Sequence, residues 1–282
     1  MKRAIVVAIS VILALILAAP TVFAADKPQV VSPDKADYAQ LSAKWWQWAY
    51  SIPASDNPLS VATETDGATC ATGQPAAGRR GGTWFLGGLF TAPGQPFPEG
   101  GLVERTCNVP AGKSIFLPIF NAECSTVEGN PPLVNPDGSP IPSDAAGVDT
   151  LEKCATYAID WGLGLLPAGE PPGSGQHKLA SMYASVDGVS VGNLNPKKTP
   201  YRVASGPFEF TLVENSIDTF CLSGEPNAQQ YVQCPAGESD AAADGVYLLL
   251  APLPAGPHTL RFGGTFFDGG FPLNITYHIN QG

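Results

Sequence analysis

The sequence predicts a mainly β protein: an antiparallel β-sandwich, jelly-roll type preferred, with an N-terminal helix and one mid-chain helix. Three observations lead there. Apolar and polar residues alternate at period two along several C-terminal segments, the pattern of antiparallel strands with one wet face. Glycine (31) and proline (28) are abundant while only 14% of the 282 residues are charged and 44% are hydrophobic. That composition suits many short strands joined by tight turns and lies below the glycine and proline content of disordered chains. Six cysteines follow an apolar leader, so disulfides can staple a loop-rich scaffold.

The leader comes first. Lys2-Arg3, an apolar run from Ala4 to Ala19, and Thr21-Val22-Phe23-Ala24 have the charge, core and small-residue pattern of a secretory signal peptide cut after Ala24. The run is too short for a good membrane span, and no cysteine sits at the cut to take a lipid. A secreted or periplasmic protein is therefore expected, with residues 25–282 as a single disulfide-stapled domain and no transmembrane segment after cleavage. Lys2 and Arg3 leave with the leader, so 13 basic residues face 25 acidic ones, formally −12. That balance argues against nucleic acid and against anionic lipid surfaces as partners.

The first helix is expected from Ser32 as cap and Pro33 as first residue, with Asp34 and Asp37 favouring its positive end. Tyr38, Leu41, Trp45 and Trp48 then share one apolar face, and Ile52-Pro53 ends it. Pro53 to Gly82 reads as loop. Thr83 to Leu86 and Ser114 to Leu117 read as buried strands, with Cys107 between them. Asn130 to Asp144, rich in Pro, Asn and Gly, reads as a surface loop. A second helix is expected over Ala145 to Trp161, and Pro167 to Gly175 as another loop. Met182 to Val186, Asp187-Gly188 and Val189 to Val191 form a strand, tight turn and strand. Phe208 to Leu212, Gly245 to Ala251, Leu260 to Phe262 and Leu273 to Ile279 complete the strands.

Several segments carry a resemblance. Val186-Asp187-Gly188 with Tyr201-Arg202-Val203, Ala243-Asp244-Gly245-Val246-Tyr247 and Pro252-Leu253-Pro254-Ala255-Gly256-Pro257-His258-Thr259-Leu260 resembles a group of exported bacterial β-sandwich proteins of uncharacterised activity. The Trp45-x-x-Trp48 helix, the Trp84-Phe85-Leu86 strand and Cys107-x-Val109-Pro110-x-Gly112-Lys113 belong to the same pattern. The resemblance spans nearly the whole mature chain. It implies the fold and no particular chemistry.

Candidate chemistry is sparse. Gly188-Val189-Ser190-Val191-Gly192 matches the serine-hydrolase elbow, which needs its serine on a strand-to-helix turn. Here a hairpin turn precedes Ser190 and a Pro-containing segment follows, so a chance match is preferred. The histidines His177, His258 and His278 lack zincin or zinc-finger spacing, so no metal and no cofactor are expected. His177 and His258 lie near loops and are weak catalytic candidates. Asp187, Asp244 and Asp268 could pair across a cleft as glycosidase carboxylates do. Each also precedes glycine, which suits a turn, and that reading is preferred.

Trp45 and Trp48 are expected to pack on a sheet. Trp46 lies about 100° round the helix, where partial exposure would make these three tryptophans a candidate ligand-stacking surface, but docking into the core is the preferred reading. The six cysteines allow fifteen pairings, of which Cys70–Cys107, Cys124–Cys154 and Cys221–Cys234 are preferred. No Cys-x-x-Cys pair suggests redox work. The functional expectation is a non-catalytic exported protein that binds a glycan or another cell-envelope or extracellular polymer. The alternative is a secreted hydrolase or lyase with carboxylates or histidine on cleft loops.

Overall fold

The computed structural model describes residues 29–35, 37–75, 82–91, 96–128, 150–170, 174–222 and 231–282. The expected leader and the Asn130 to Asp144 loop lie outside the described residues.

Helix α1 spans Tyr38–Tyr50, later than expected. Its cap is Asp37, whose carboxylate accepts from the Gln40 amide at 2.9 Å. Pro33–Lys35 is a separate 3-10 turn, served by the Ser32 hydroxyl, which accepts from the Asp34 amide. The carboxylate is thus the group that meets the first free amides of the α-helix. Two short strands follow, β1 (Thr63–Glu64) and β2 (Thr83–Phe85). Next come β3 (Leu102–Val109) and β4 (Ser114–Ser125). Sequence reading missed β3, although Val103, Arg105, Cys107 and Val109 alternate inward; a buried arginine on the inner face hid the period.

Helix α2 spans Leu151–Leu163. Thr150 caps it, and Gly164 at φ 69° ends it in a left-handed turn that only glycine adopts without strain. The expected first turn, 145–149, lies outside the described residues. Strands β5 (Ser181–Val186) and β6 (Val189–Ser190) form the predicted hairpin. Asp187 and Gly188 both have positive φ, as the tightest hairpin turn requires. Then follow β7 (Arg202–Leu212), β8 (Cys221–Leu222), β9 (Tyr231–Val232), β10 (Gly237–Leu250), β11 (Gly256–Phe266) and β12 (Phe271–Gln281).

Two sheets result, in the orders β1-β3-β12-β11-β5-β6 and β2-β4-β10-β7, with β8-β9 as a small ribbon. Most pairs are antiparallel, as predicted. Three ladders are parallel: β1 with β3, β3 with β12, and β2 with β4. The main core lies between the sheets, where Val103, Phe262, Ile275 and Tyr277 of the larger meet Ile115, Leu117, Val246 and Leu248 of the smaller. The other face of the smaller sheet presents Phe116, Ala243, Tyr247 and Leu249 to α1. Strands β4 and β10 are therefore buried on both sides, which explains their nearly continuous apolar runs.

The three preferred disulfides, Cys70–Cys107, Cys124–Cys154 and Cys221–Cys234, are those present, and no cysteine is free. No helix among the described residues is long and apolar enough to cross a membrane.

Candidate functional site

The candidate aromatic platform closes up. Trp45, Trp46 and Trp48 are all buried, Trp46 with only 4% of its surface exposed. Its ring meets those of Trp45, Tyr50 and Phe90 at 5.0, 5.3 and 5.9 Å between centroids. An indole enclosed this way offers no face for a sugar. Trp45 Nε1 donates to the Leu86 carbonyl at 2.7 Å, and Trp48 Nε1 donates to the Thr72 carbonyl at 3.1 Å. The preferred core reading of the cluster holds, and the ligand-platform alternative at Trp46 does not. The segment 82–91 closes over the helix face that a free helical wheel leaves open.

Asp187 and Asp268 do sit in turns, both with left-handed backbone. Asp244 does not: it lies within β10, is 3% exposed, and forms an ion pair with Arg202 at 2.7 Å. Its pairing with a β7 residue outweighs the turn preference of Asp-Gly. The three aspartates do not converge. Each of the outer two meets a histidine instead, His258 with Asp187 at 2.7 Å and His177 with Asp268 at 3.0 Å. The second nitrogens face the Pro254 and Glu170 carbonyls, so neither imidazole has a free nitrogen for catalysis. Ser190 lies in β6 opposite Ser185, and no helix follows it, so the hydrolase elbow is absent. His278 points outward and meets Glu104 at 2.8 Å.

A different constellation emerges from Glu123, Glu128 and Asp218. One carboxylate oxygen from each lies within 4.8 Å of the others. Register places the first: Glu123 pairs with Ala243 and Ser125 with Ala241, two residues of the core beneath α1. Alternation therefore turns Glu123 and Ser125 onto one face, while Cys124 between them turns away to its disulfide with Cys154 on α2. Glu128 follows the end of β4, where the Val127 amide donates to Ser239 Oγ at 3.0 Å.

Asp218 comes from the segment after β7. That segment is stitched to the end of α1, since the Ala54 amide donates to the Asn215 carbonyl at 2.6 Å. Gln233 Nε2 donates to the Ser216 and Asp218 carbonyls, and the Cys234 amide also reaches the Asp218 carbonyl. The Cys221–Cys234 disulfide ties the same two segments.

The two inner carboxyls are each held by one oxygen. Tyr50 Oη donates to Glu123 Oε1 at 2.8 Å, and the Phe220 amide donates to Asp218 Oδ1 at 3.1 Å. Their other oxygens, Glu123 Oε2 and Asp218 Oδ2, are buried without a partner. Burial, reinforced by the Asp218 charge, pushes the Glu123 carboxyl up to about 8. Burial raises Asp218 to about 6, opposed by the Phe220 amide. Glu128 is held well above its ordinary range by burial and then by the two neighbouring acids. The charges that raise Glu123 and Glu128 come from the neighbouring acids of the same cluster. Such a cluster must either retain protons or accept a cation.

Two aromatic rings, Phe220 and Tyr231, meet 5.8 Å apart edge to face. The Phe220 amide holds Asp218, and Tyr231, its pKa raised by burial, lies near enough to Glu128 for that acid to raise it further. Phe220 is 39% exposed. Sequence reading missed this whole site. The Cys221–Cys234 pair was its one visible trace, because that predicted loop closure begins next to Phe220 and encloses Tyr231.

Comparison with protein-family models, with curated proteins and with solved structures returned no match.

Proposed function

We propose that this is an exported β-sandwich protein that binds a glycan or another cell-surface or extracellular polymer at the end bearing Phe220 and the three carboxyls. The observation that supports it is the exposed Phe220, whose backbone amide holds Asp218 in the cluster with Glu123 and Glu128. Sugars present apolar C–H faces that stack on aromatic rings, the need that an exposed aromatic such as Phe220 meets. Export is supported by the leader pattern of Met1 to Ala24 and by three disulfides, which persist in oxidising compartments.

A glycan microarray on the mature protein, with Phe220→Ala beside it, tests the reading. Binding that falls at least about tenfold in the variant supports it, a loss of about 1.4 kcal/mol. Absence of binding to every glycan, or binding indifferent to the change, overturns it. A second reading, a secreted hydrolase or lyase, is favoured by carboxyls of unlike proton affinity held within 4.8 Å. Turnover of glycoside, ester or uronate substrates that Glu123→Gln abolishes would select it.

A further inference from the structure

We propose that Glu123, Glu128 and Asp218 bind a divalent cation, calcium by the character of the ligands. The site is built for it in three respects. First, the donors are hard oxygens from separate segments, the set that calcium and magnesium prefer. Calcium holds oxygens at about 2.3–2.6 Å, so one ion spans oxygens up to roughly 5 Å apart across its centre. The three carboxylate oxygens, all within 4.8 Å of one another, fall inside that span.

Second, the carboxylates are presented. Tyr50 Oη and the Phe220 amide each occupy one oxygen of Glu123 and of Asp218 and leave the other directed inward without a partner. Outer hydrogen bonds of this kind orient metal-binding carboxylates.

Third, a neutral donor completes the set. Ser125 is fully buried, 0% exposed, and its hydroxyl, though beside Glu128, makes no hydrogen bond of good geometry. It projects from the same face of β4 as Glu123, and it lies close enough to Glu128 to favour that group's charged form. A buried hydroxyl left unpaired costs stability, about 1–3 kcal/mol, unless something in the cluster engages it. Irregular mixed carboxylate and hydroxyl coordination suits calcium, whereas magnesium demands a near-regular octahedron and keeps its waters.

The inference does not depend on glycan binding, and its test uses the ion alone. The mature protein is stripped with chelator and titrated with calcium chloride by calorimetry near pH 7.5, with magnesium chloride in parallel. The expected result is one calcium bound per chain, a melting temperature that rises with calcium, and weaker magnesium binding. Glu123→Gln and Asp218→Asn should each lower the affinity at least about tenfold. Terbium, a calcium mimic, should give luminescence sensitised by Tyr50 that calcium displaces. No heat, no thermal shift and no displaceable terbium signal up to about 10 mM calcium, beyond the weakest extracellular calcium modules, would overturn the site. Affinity unchanged in both folded variants would do the same. If either variant fails to fold, Ser125→Ala decides: weakened calcium binding supports the site, and unchanged binding rejects it. A protein that binds calcium but no glycan keeps this inference and loses the previous one.

Discussion

His258 donates from Nδ1 to Asp187 Oδ2 at 2.7 Å, and this contact locks one end of the β5–β11 pair. Asp187 follows the last residue of β5, and His258 stands near the start of β11. The same arrangement recurs at the other end, where His177 precedes β5 and Asp268 follows β11. In both, the second aspartate oxygen accepts from the amide after the histidine, Thr259 at 2.8 Å and Lys178 at 2.7 Å. The ladder from Leu260 with Val186 to Thr265 with Ser181 is thus fastened at each end.

This clamp makes stability depend on pH. Burial pulls the His258 pKa down, but the Asp187 carboxylate and the Pro254 carbonyl outweigh it and leave it raised. A raised histidine binds its proton more tightly when folded, so its contribution is full below the unfolded value of about 6.5 and is lost as pH rises through the folded value. Because the Asp187 carboxylate is substantially exposed, the contribution should be only about 0.5–1 kcal/mol. Denaturant titrations of His258→Asn beside the unaltered protein should differ most near pH 5.5 and converge at alkaline pH. A difference that grows with pH would refute the clamp as described.

Replacing both Cys221 and Cys234 by serine should cost about 3 kcal/mol, since the bridge closes a loop with a sequence separation of 13. The effect should be local as well as global. Hydrogen exchange at the Phe220 and Cys234 amides, which hold Asp218, should accelerate, while the amides of β4 and β10 keep their protection.

Trp46→Ala should destabilise the protein by about 3–5 kcal/mol, as for other large buried aromatics. Urea unfolding measures this directly. A stability unchanged within about 0.5 kcal/mol would mean that the indole is not enclosed by Trp45, Tyr50 and Phe90.

Arg105→Lys is expected to cost about 2–4 kcal/mol. Arg105 is 1% exposed and spends its donors on neutral groups: Nε on the Val61 carbonyl, and Nη1 on Gly87, Gly88 and Tyr277 Oη. Lysine keeps the charge but not the fork, so at least two of these acceptors lose their donor. Thermal unfolding of the variant, with near-ultraviolet dichroism to report the Tyr277 environment, checks it.

What could be read from the chain follows from how local each signal is. The β5–β6 hairpin was legible because Asp187-Gly188 names its own turn, and α2 because apolar residues recur at helical spacing. The three bridges were legible because each joins sequence neighbours. Strand β3 was not, since Arg105 breaks its apolar alternation and finds its acceptors in segments far along the chain. The carboxyl cluster escaped for the same reason. Glu123 looks like a solvent residue until β10 fixes its face, and Asp218 looks like a loop acid until Gln233 and the neighbouring bridge fold it inward. The platform alternative at Trp46 stayed open because a helical wheel cannot show the 82–91 segment that covers it.

The parallel ladder between β3 and β12 has a consequence for how the chain reaches its native state. Asn274 to Gln281 pair with Leu102 to Val109, so the final strand of the sequence sits inside the larger sheet rather than at its edge. Until Asn274 to Gln281 pair, β3 and β11 each expose an unsatisfied backbone edge. Pairings this distant in sequence form slowly, because the intervening chain must be gathered first. Closure of the larger sheet therefore waits until Asn274 to Gln281 can reach Leu102 to Val109, so a lesion in either segment should slow refolding of both.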